Sequence, residues 1–426
     1  MNKPTGICLL AFLLCWGSQS AKTAPPAPGG GKTPATARTA LNWLESMVRS
    51  TVVKGKRYSL VQGYESLAGR CWTYDQALSV MAFAALGRID LSGKILASLR
   101  QIQNPDGSFY FSYRLSDLSP TSDRKYTGSI AWVVMAVNLY RRITGDRSYD
   151  CFAQKTLKWL KARQITDRWD PRFGGLSLGT RADVFSTEHN LDSYSAFKYF
   201  GGNRNRRSAR RIKRFILRQL YDSDQSRFLT GFRDPSRYLD CQSWAILTLG
   251  QGFCHLLESL EDHFRVKTIL GPDEDTVEGF FERPAKGAPV WSEGTEGAAL
   301  AFFICGQDHR GDYYHRQVRK MTGDSGGIRY ATPNDLGFST SPSVAGTAWF
   351  LFYELKINPF RPRFKTLRKI RRRFPPLCCP GVDDHRLPFP NRRRPPDGFS
   401  SPFEPIPGGI PEFDFPFPVM YDFKKQ

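Results

Sequence analysis

Two short acidic clusters are the parts of this sequence best suited to chemistry. Glu188 and Asp192 stand four residues apart and Glu293 and Glu296 three apart, spacings that put each pair on one face of a helix. The clusters are Ser186-Thr187-Glu188-His189-Asn190-Leu191-Asp192 and Trp291-Ser292-Glu293-Gly294-Thr295-Glu296, each heading an apolar stretch. Two carboxyl groups, one protonated and one ionised, are what general acid and base work requires. Because Glu188 and Glu296 sit in the most polar surroundings, they are the predicted acid–base pair, with Asp240, Asp192 and Glu293 as further catalytic candidates. A plainer reading applies to all of them, since acids in a helix's first turn satisfy free N–H groups and oppose the dipole. Thr73-Tyr74-Asp75-Gln76 fits a capping box, which favours a structural Asp75 over a substrate contact. For Asp240 both readings stay open.

The same segments carry candidate substrate contacts. His189 reads as a satisfied hydrogen-bonding residue beside Glu188, or else as a substrate-hydroxyl contact or proton carrier. Asn190 joins it as a polar contact. Trp72, Tyr74 and Trp291 lie near equivalent acids, and their rings could stack on the apolar face of a substrate or simply fill core. Arg181 and Arg329 are candidates for holding a carboxylate, with surface arginine as the plainer reading.

Helices must position these residues, and an internal repeat supplies them. Asp75, Ser129, Glu188, Asp240, Glu293 and Ser343 each open an apolar run, at intervals of 54, 59, 52, 53 and 50 residues. These runs are apolar on nearly every side, as in helices buried all round. Charge-rich amphipathic segments lie between them: 40–52, 91–103, 150–163, 207–221, 255–266 and 313–321. Glycine-containing loops follow these outer segments, as at Pro105-Asp106-Gly107-Ser108-Phe109 and Phe173-Gly174-Gly175-Leu176. The inner helices therefore all start on one rim. A unit of one outer and one inner helix cannot bury its inner face alone, and six such units fit a closed ring better than a solenoid.

This layout over residues 40–357 resembles the (α/α)6 toroids of the six-hairpin glycosidase superfamily, and the two acidic clusters carry the local likeness. The resemblance implies an all-α toroid of six helical hairpins with β-hairpin-like loops on one rim. It also implies acids lining a sugar cleft and a glycoside hydrolase acting through a carboxylate pair. A second toroid group competes. Gln103-Asn104-Pro105-Asp106-Gly107-Ser108-Phe109 is similar to the loop repeated in terpenoid cyclases and protein prenyltransferases, and Asp273-Glu274-Asp275-Thr276 has a passing likeness to a cyclase acid motif. A lyase on acidic glycan and a non-catalytic glycan-binding envelope protein complete the alternatives.

Composition bounds the rest. Lys3, the apolar run Ile7–Trp16 and the small residues Ser18 and Ser20 read as a signal peptide over 1–20, which predicts export to a periplasmic or extracellular space. Cys15 leaves lipoprotein anchoring open, although Phe12-Leu13-Leu14 lacks the usual small residues. Residues 21–39 read as a Pro/Gly/Ala-rich linker, 40–358 as the toroid and 359–426 as a basic, proline-rich disordered tail. Of the net charge of +21, the chain from Arg361 onward carries +7 and the first 40 residues +4, which leaves +10 on the body. That excess favours anionic partners, so the oligo- or polysaccharide substrate that the resemblance implies is open to being anionic, and the basic tail is open to envelope association. No nucleic-acid partner is expected, because no binding motif accompanies the charge. The scattered cysteines lack zinc-ligand spacing, no disulfide pairing can be deduced from them, and neither metal nor cofactor is implied.

Overall fold

A computed structural model of the chain describes residues 35–180, 183–270 and 276–362. The signal peptide, nearly all of the linker, Arg181, Asp273-Glu274-Asp275 and the tail beyond residue 362 lie outside the described residues. Outer and inner helices alternate along the chain. The outer ones are α1 (Ala35–Ser46), α3 (Ile89–Ile102), α5 (Asp150–Lys161), α7 (Asn203–Phe215), α9 (Leu256–Phe264) and α11 (Asp308–Lys320). The inner ones are α2 (Thr73–Ala85), α4 (Thr127–Thr144), α6 (Thr187–Phe200), α8 (Leu239–Leu249), α10 (Ser292–Ile304) and α12 (Val344–Glu354). Each inner helix packs against the next in the order α2, α4, α6, α8, α10, α12, and α12 returns to α2, so the ring is closed. The fold is the (α/α)6 toroid.

Backbone hydrogen bonds show how the ring is tied. The first N–H of a helix has no partner within the helix. In all six inner helices it donates to a loop of the following unit: Thr73 to Phe111, Thr127 to Leu178, Thr187 to Thr230, Leu239 to Glu282, Ser292 to Tyr330 and Val344 to Gly63, at 2.8–3.0 Å. The last bond joins the last inner helix to the loop of the first unit. Gly63 is required there, because a Cβ would lie 2.3 Å from the Trp72 ring and 2.5 Å from an Asp75 oxygen.

A second repeated contact fixes each unit's own hairpin. The fourth residue of five inner helices bonds the backbone of the loop before it: Gln76 to Val61, Asn190 to Leu176, Gln242 to Phe228, Thr295 to Phe280 and Thr347 to Ile328. The capping box expected at Thr73–Gln76 does not form. The Thr73 hydroxyl donates to Tyr110 O and the Gln76 amide clamps Val61, while the N-cap is Trp72 with no side-chain cap.

Among the described residues the loops contain four short antiparallel strand pairs, β1–β2 (Val48–Val53 with Lys56–Val61), β3–β4 (Arg70–Trp72 with Ser112–Arg114), β5–β6 (Tyr221–Asp222 with Arg227–Phe228) and β7–β8 (Arg265–Ile269 with Thr276–Phe280). The first outer helix begins and ends earlier than its amphipathic pattern predicted. α1 starts at Ala35, within the stretch read as linker, and the β-branched Thr51-Val52-Val53 belongs to β1. A turn with positive φ at Lys54 and Gly55 sends the chain back as β2. Phe360, within the stretch read as tail, is fully buried. It caps a cluster in which Trp244 and Trp349 stack with centroids 5.7 Å apart and Trp132 meets both edge-on.

The Gln103–Phe109 loop, the source of the cyclase likeness, serves this architecture. Gln103 bonds Thr156 on α5, Asp106 accepts from the backbone and hydroxyl of Ser108, and Phe109 packs on Phe152. It stitches one outer helix to the next. Cys254 and Cys305 form a disulfide between the segment after α8 and the end of α10, a pairing the sequence alone did not reveal.

Candidate active site

Counting from the start of each inner helix shows which side chains share the lumen. The second residues are Tyr74, Gly128, Glu188, Asp240, Glu293 and Ala345. One turn deeper, the sixth residues are Leu78, Trp132, Asp192, Trp244, Gly297 and Trp349, so the tryptophan cluster forms the floor. Three acids thus project from the neighbouring helices α6, α8 and α10, and Asp192 lies one turn below Glu188. Glycine at 128 makes room for it, since a Cβ there would come within 2.8 Å of an Asp192 oxygen and 2.7 Å of the His189 ring.

These acids are buried yet unpaired. Glu188, Asp192, Asp240 and Glu293 are each 1–6% exposed, and none takes part in an ion pair among the described residues. Both Asp192 oxygens and one oxygen of Asp240 lack a hydrogen-bond partner. Trp132 lowers the Asp192 pKa slightly but does not reach hydrogen-bonding geometry. Burial first, and then the repulsion of Asp240, Asp192 and Glu293, pushes Glu188 well above the usual carboxylate range. Asp240 is raised by burial and by Glu293 and Glu282, and Asp192 chiefly by burial.

Glu293 differs. Burial lifts it only to about 7, because the Tyr74 hydroxyl donates to it at 2.6 Å and the Trp349 N–H lies nearby. Trp349 in turn donates to the Tyr74 oxygen at 2.9 Å, fixing that hydroxyl toward the acid. Groups whose surroundings separate their pKa values are suited to opposite proton-transfer roles. Glu293 titrates at about 7, and burial together with the neighbouring acids favours the protonated form of Glu188.

The structure brings together five of the residues singled out in the sequence: Glu188, Asp192, Asp240, Glu293 and Tyr74. Asp75 borders the group, with its charge felt by Tyr64 and its own pKa raised by burial and by Glu293. Glu296 is placed elsewhere. As the fifth residue of its helix it points to outer helix α11, where His315 Nδ1 meets both its oxygens at 2.9 and 3.1 Å. The other ring nitrogen of His315 meets Glu354 at 3.1 Å. The predicted pairing of Glu188 with Glu296 therefore has no geometric basis, and Glu293, three residues earlier, takes its position in the lumen.

Four expected substrate contacts are scaffold instead. Asn190 is fully buried, its amide bonded to Leu176 N and O. His189 is 1% exposed, beside the Thr127 hydroxyl, and burial lowers its pKa to about 4, which keeps it neutral. Trp72 meets Tyr64 edge-on and abuts Gly63. Trp291 is wholly enclosed and abuts Gly294. Neither ring has an open face for a sugar. Arg329 lines a separate cleft of about 540 Å³ with Glu65, Asp324 and Phe338.

Sequence reasoning missed Glu282 and Trp349. Glu282 follows β8, its carbonyl accepts the first N–H of α8, and burial lifts its carboxyl to about 7. Its signal was an acid just after the rim-crossing segment Gly279-Phe280-Phe281. Trp349 was legible only from register, as the residue six places into the last inner helix.

Comparison with known proteins agrees with the fold. No family model matches the chain, and no curated protein matches it by sequence. Solved structures do match. A glycosidase variant in complex with glucose superimposes with a TM-score of 0.59 at 9% identity, covering 77% of this chain and 97% of that one. A family 76 mannosidase from Bacteroides thetaiotaomicron gives 0.53 at 10% identity over 75% and 96%. A sugar epimerase from a ruminal bacterium gives 0.54 at 12% identity over 74% and 97%. At these identities what is shared is the architecture alone, the (α/α)6 toroid.

Proposed function

We propose that this chain is an exported, carbohydrate-active enzyme that cleaves a glycosidic bond with a carboxylate pair, Glu188 as acid and Glu293 as base or nucleophile. The observation that carries this reading is the convergence of acids without ion-pair partners at the starts of α6, α8 and α10, with the Tyr74 hydroxyl donating to Glu293 and opposing the rise of its pKa. Acids serving as helix caps would be spent on backbone N–H groups, whereas α8 and α10 have no side-chain cap and α6 is capped by Ser186. Glu188 donates its proton to the leaving glycosidic oxygen. The Glu293 carboxylate then activates water or attacks the anomeric carbon. Asp240 and Asp192, with oxygens still free, accept hydrogen bonds from sugar hydroxyls.

A lumen this acidic favours a neutral glycan, because a uronate would add another buried negative charge. The glycosidase and epimerase neighbours support a sugar substrate, and the Cys254–Cys305 disulfide supports an oxidising, exported setting. The test is a screen of neutral and acidic oligosaccharides for new reducing ends, with absorbance of unsaturated uronates read alongside. Reducing ends from a neutral glycan are expected. Unsaturated products from acidic glycans would replace this reading with a lyase.

A further inference from the structure

The outer belt of the toroid holds a feature that the lumen chemistry does not use. Helix α7 and the turn after it carry eight arginines and lysines from Arg204 to Arg218, with no acid between Asn203 and Leu220. Arg206, Arg210, Arg214 and Arg218 repeat every fourth residue and are all exposed, and no ion pair among the described residues involves them. Like charges at this spacing destabilise a helix, so the stripe costs stability that no ion pair among the described residues returns.

Beside it stands Trp169. It is 94% exposed, while every other tryptophan among the described residues is buried. The turn that carries it, after α5, is held by its own aspartates. Asp167 accepts the Trp169 N–H at 3.0 Å, and Asp170 accepts from the Arg172 backbone and pairs with its guanidinium. The loop also rides on α7. Gly174, with φ +93°, lies so close that a Cβ would be 2.5 Å from the Arg211 carbonyl oxygen, and the Arg211 guanidinium sits over Phe173 at 5.5 Å. The segment that bears the exposed ring is therefore anchored on the basic helix at Arg211, next in sequence to Arg210 of the stripe.

We propose that this surface docks on an anionic lipid bilayer, with Trp169 entering the headgroup layer and the α7 stripe meeting lipid phosphates. Tryptophan prefers the membrane interface because its ring is apolar and its N–H is polar. Basic side chains add attraction to anionic lipid that fades within a Debye length. A soluble polyanion would use the charges but has no need of an indole raised on such a turn. No helix among the described residues is long and apolar enough to cross a membrane, so attachment through this face is peripheral.

The full chain is tested by co-sedimentation with vesicles of phosphatidylcholine alone or mixed with phosphatidylglycerol, at low and physiological salt. Brominated lipid is included to quench tryptophan fluorescence. Binding only to the anionic vesicles, weakened by salt and accompanied by quenching, is expected. Trp169→Phe should abolish the quenching. Replacing Arg206, Arg210, Arg214 and Arg218 together by Gln should cut binding about tenfold or more while leaving thermal unfolding intact. Unchanged binding by that variant would place the attraction in the basic tail and overturn the proposal. Binding of soluble polygalacturonate as strong as that of vesicles, without Trp169 quenching, would overturn it in favour of an anionic polymer.

Discussion

Glu293→Gln should make the protein more stable while disabling it, and the gain should depend on pH. Glu293 titrates at about 7 in the fold against an ordinary 4.5. The folded state therefore holds a proton that the unfolded chain has lost, and stability falls as pH rises from 4.5 through 7. At about 1.36 kcal/mol per unit, the penalty near pH 8 is about 3 kcal/mol. Glutamine keeps the carbonyl that accepts from Tyr74 and removes the titration. With an unfolding entropy of about 2.1 cal/mol/K per residue over roughly 330 residues, the melting temperature should rise by about 4–5 °C near pH 8. Near pH 4 the difference should vanish. Scanning calorimetry of both proteins across this range is the assay. A loss of stability of equal size at both pH values would refute the reasoning, because it would make Glu293 a structural hydrogen-bonding group rather than a destabilised acid.

Two other outcomes follow from the scaffold. Burial alone would lower His315, but Glu296 and Glu354 on either side raise it to about 9. Its contribution is full below the unfolded value of 6.5 and is lost as pH rises through 9, and His315→Phe should cost about 3–5 kcal/mol in urea unfolding by stranding Glu296. Restoration of full stability by His315→Phe would show that the ion pairs are dispensable. The Cys254–Cys305 bridge spans 51 residues, so its reduction or Cys254→Ser should cost up to about 4 kcal/mol. Identical denaturation curves with and without reductant would count against the bridge.

Much of the toroid was legible because its signals are local. Six apolar runs at near-equal spacing, and six amphipathic segments between them, give the alternation of inner and outer helices directly. Closure was less visible, since it depends on backbone bonds such as Val344 N–H to Gly63 O that join residues far apart in sequence. The strand β1 was hidden because Met47 and Val48 continue the apolar pattern of α1 beyond Ser46. In the site, composition pointed to the right turns of the right helices but not to rotation about the helix axis. The polarity that favoured Glu296 arises from a fifth-position residue facing His315, whereas lumen access belongs to the second and sixth positions. Asn190 was misleading for a similar reason, as a polar fourth residue serves the hairpin clamp also made by Gln76, Gln242, Thr295 and Thr347. Aligning the six units on their helix starts, instead of on the acids and serines used as landmarks, would have separated these roles.

The most direct test compares turnover of the first glycan found to be cleaved by the wild type and by Glu188→Gln, Glu293→Gln and Glu296→Gln. Removing a proton-transfer group costs about 10²–10⁴-fold, so the two lumen variants should each lose activity on that scale. Glu296→Gln should turn over at nearly the wild-type rate wherever it remains folded. Equal turnover by wild type, Glu188→Gln and Glu293→Gln would contradict the account, and a collapse confined to Glu296→Gln without loss of folded protein would place the chemistry outside the lumen.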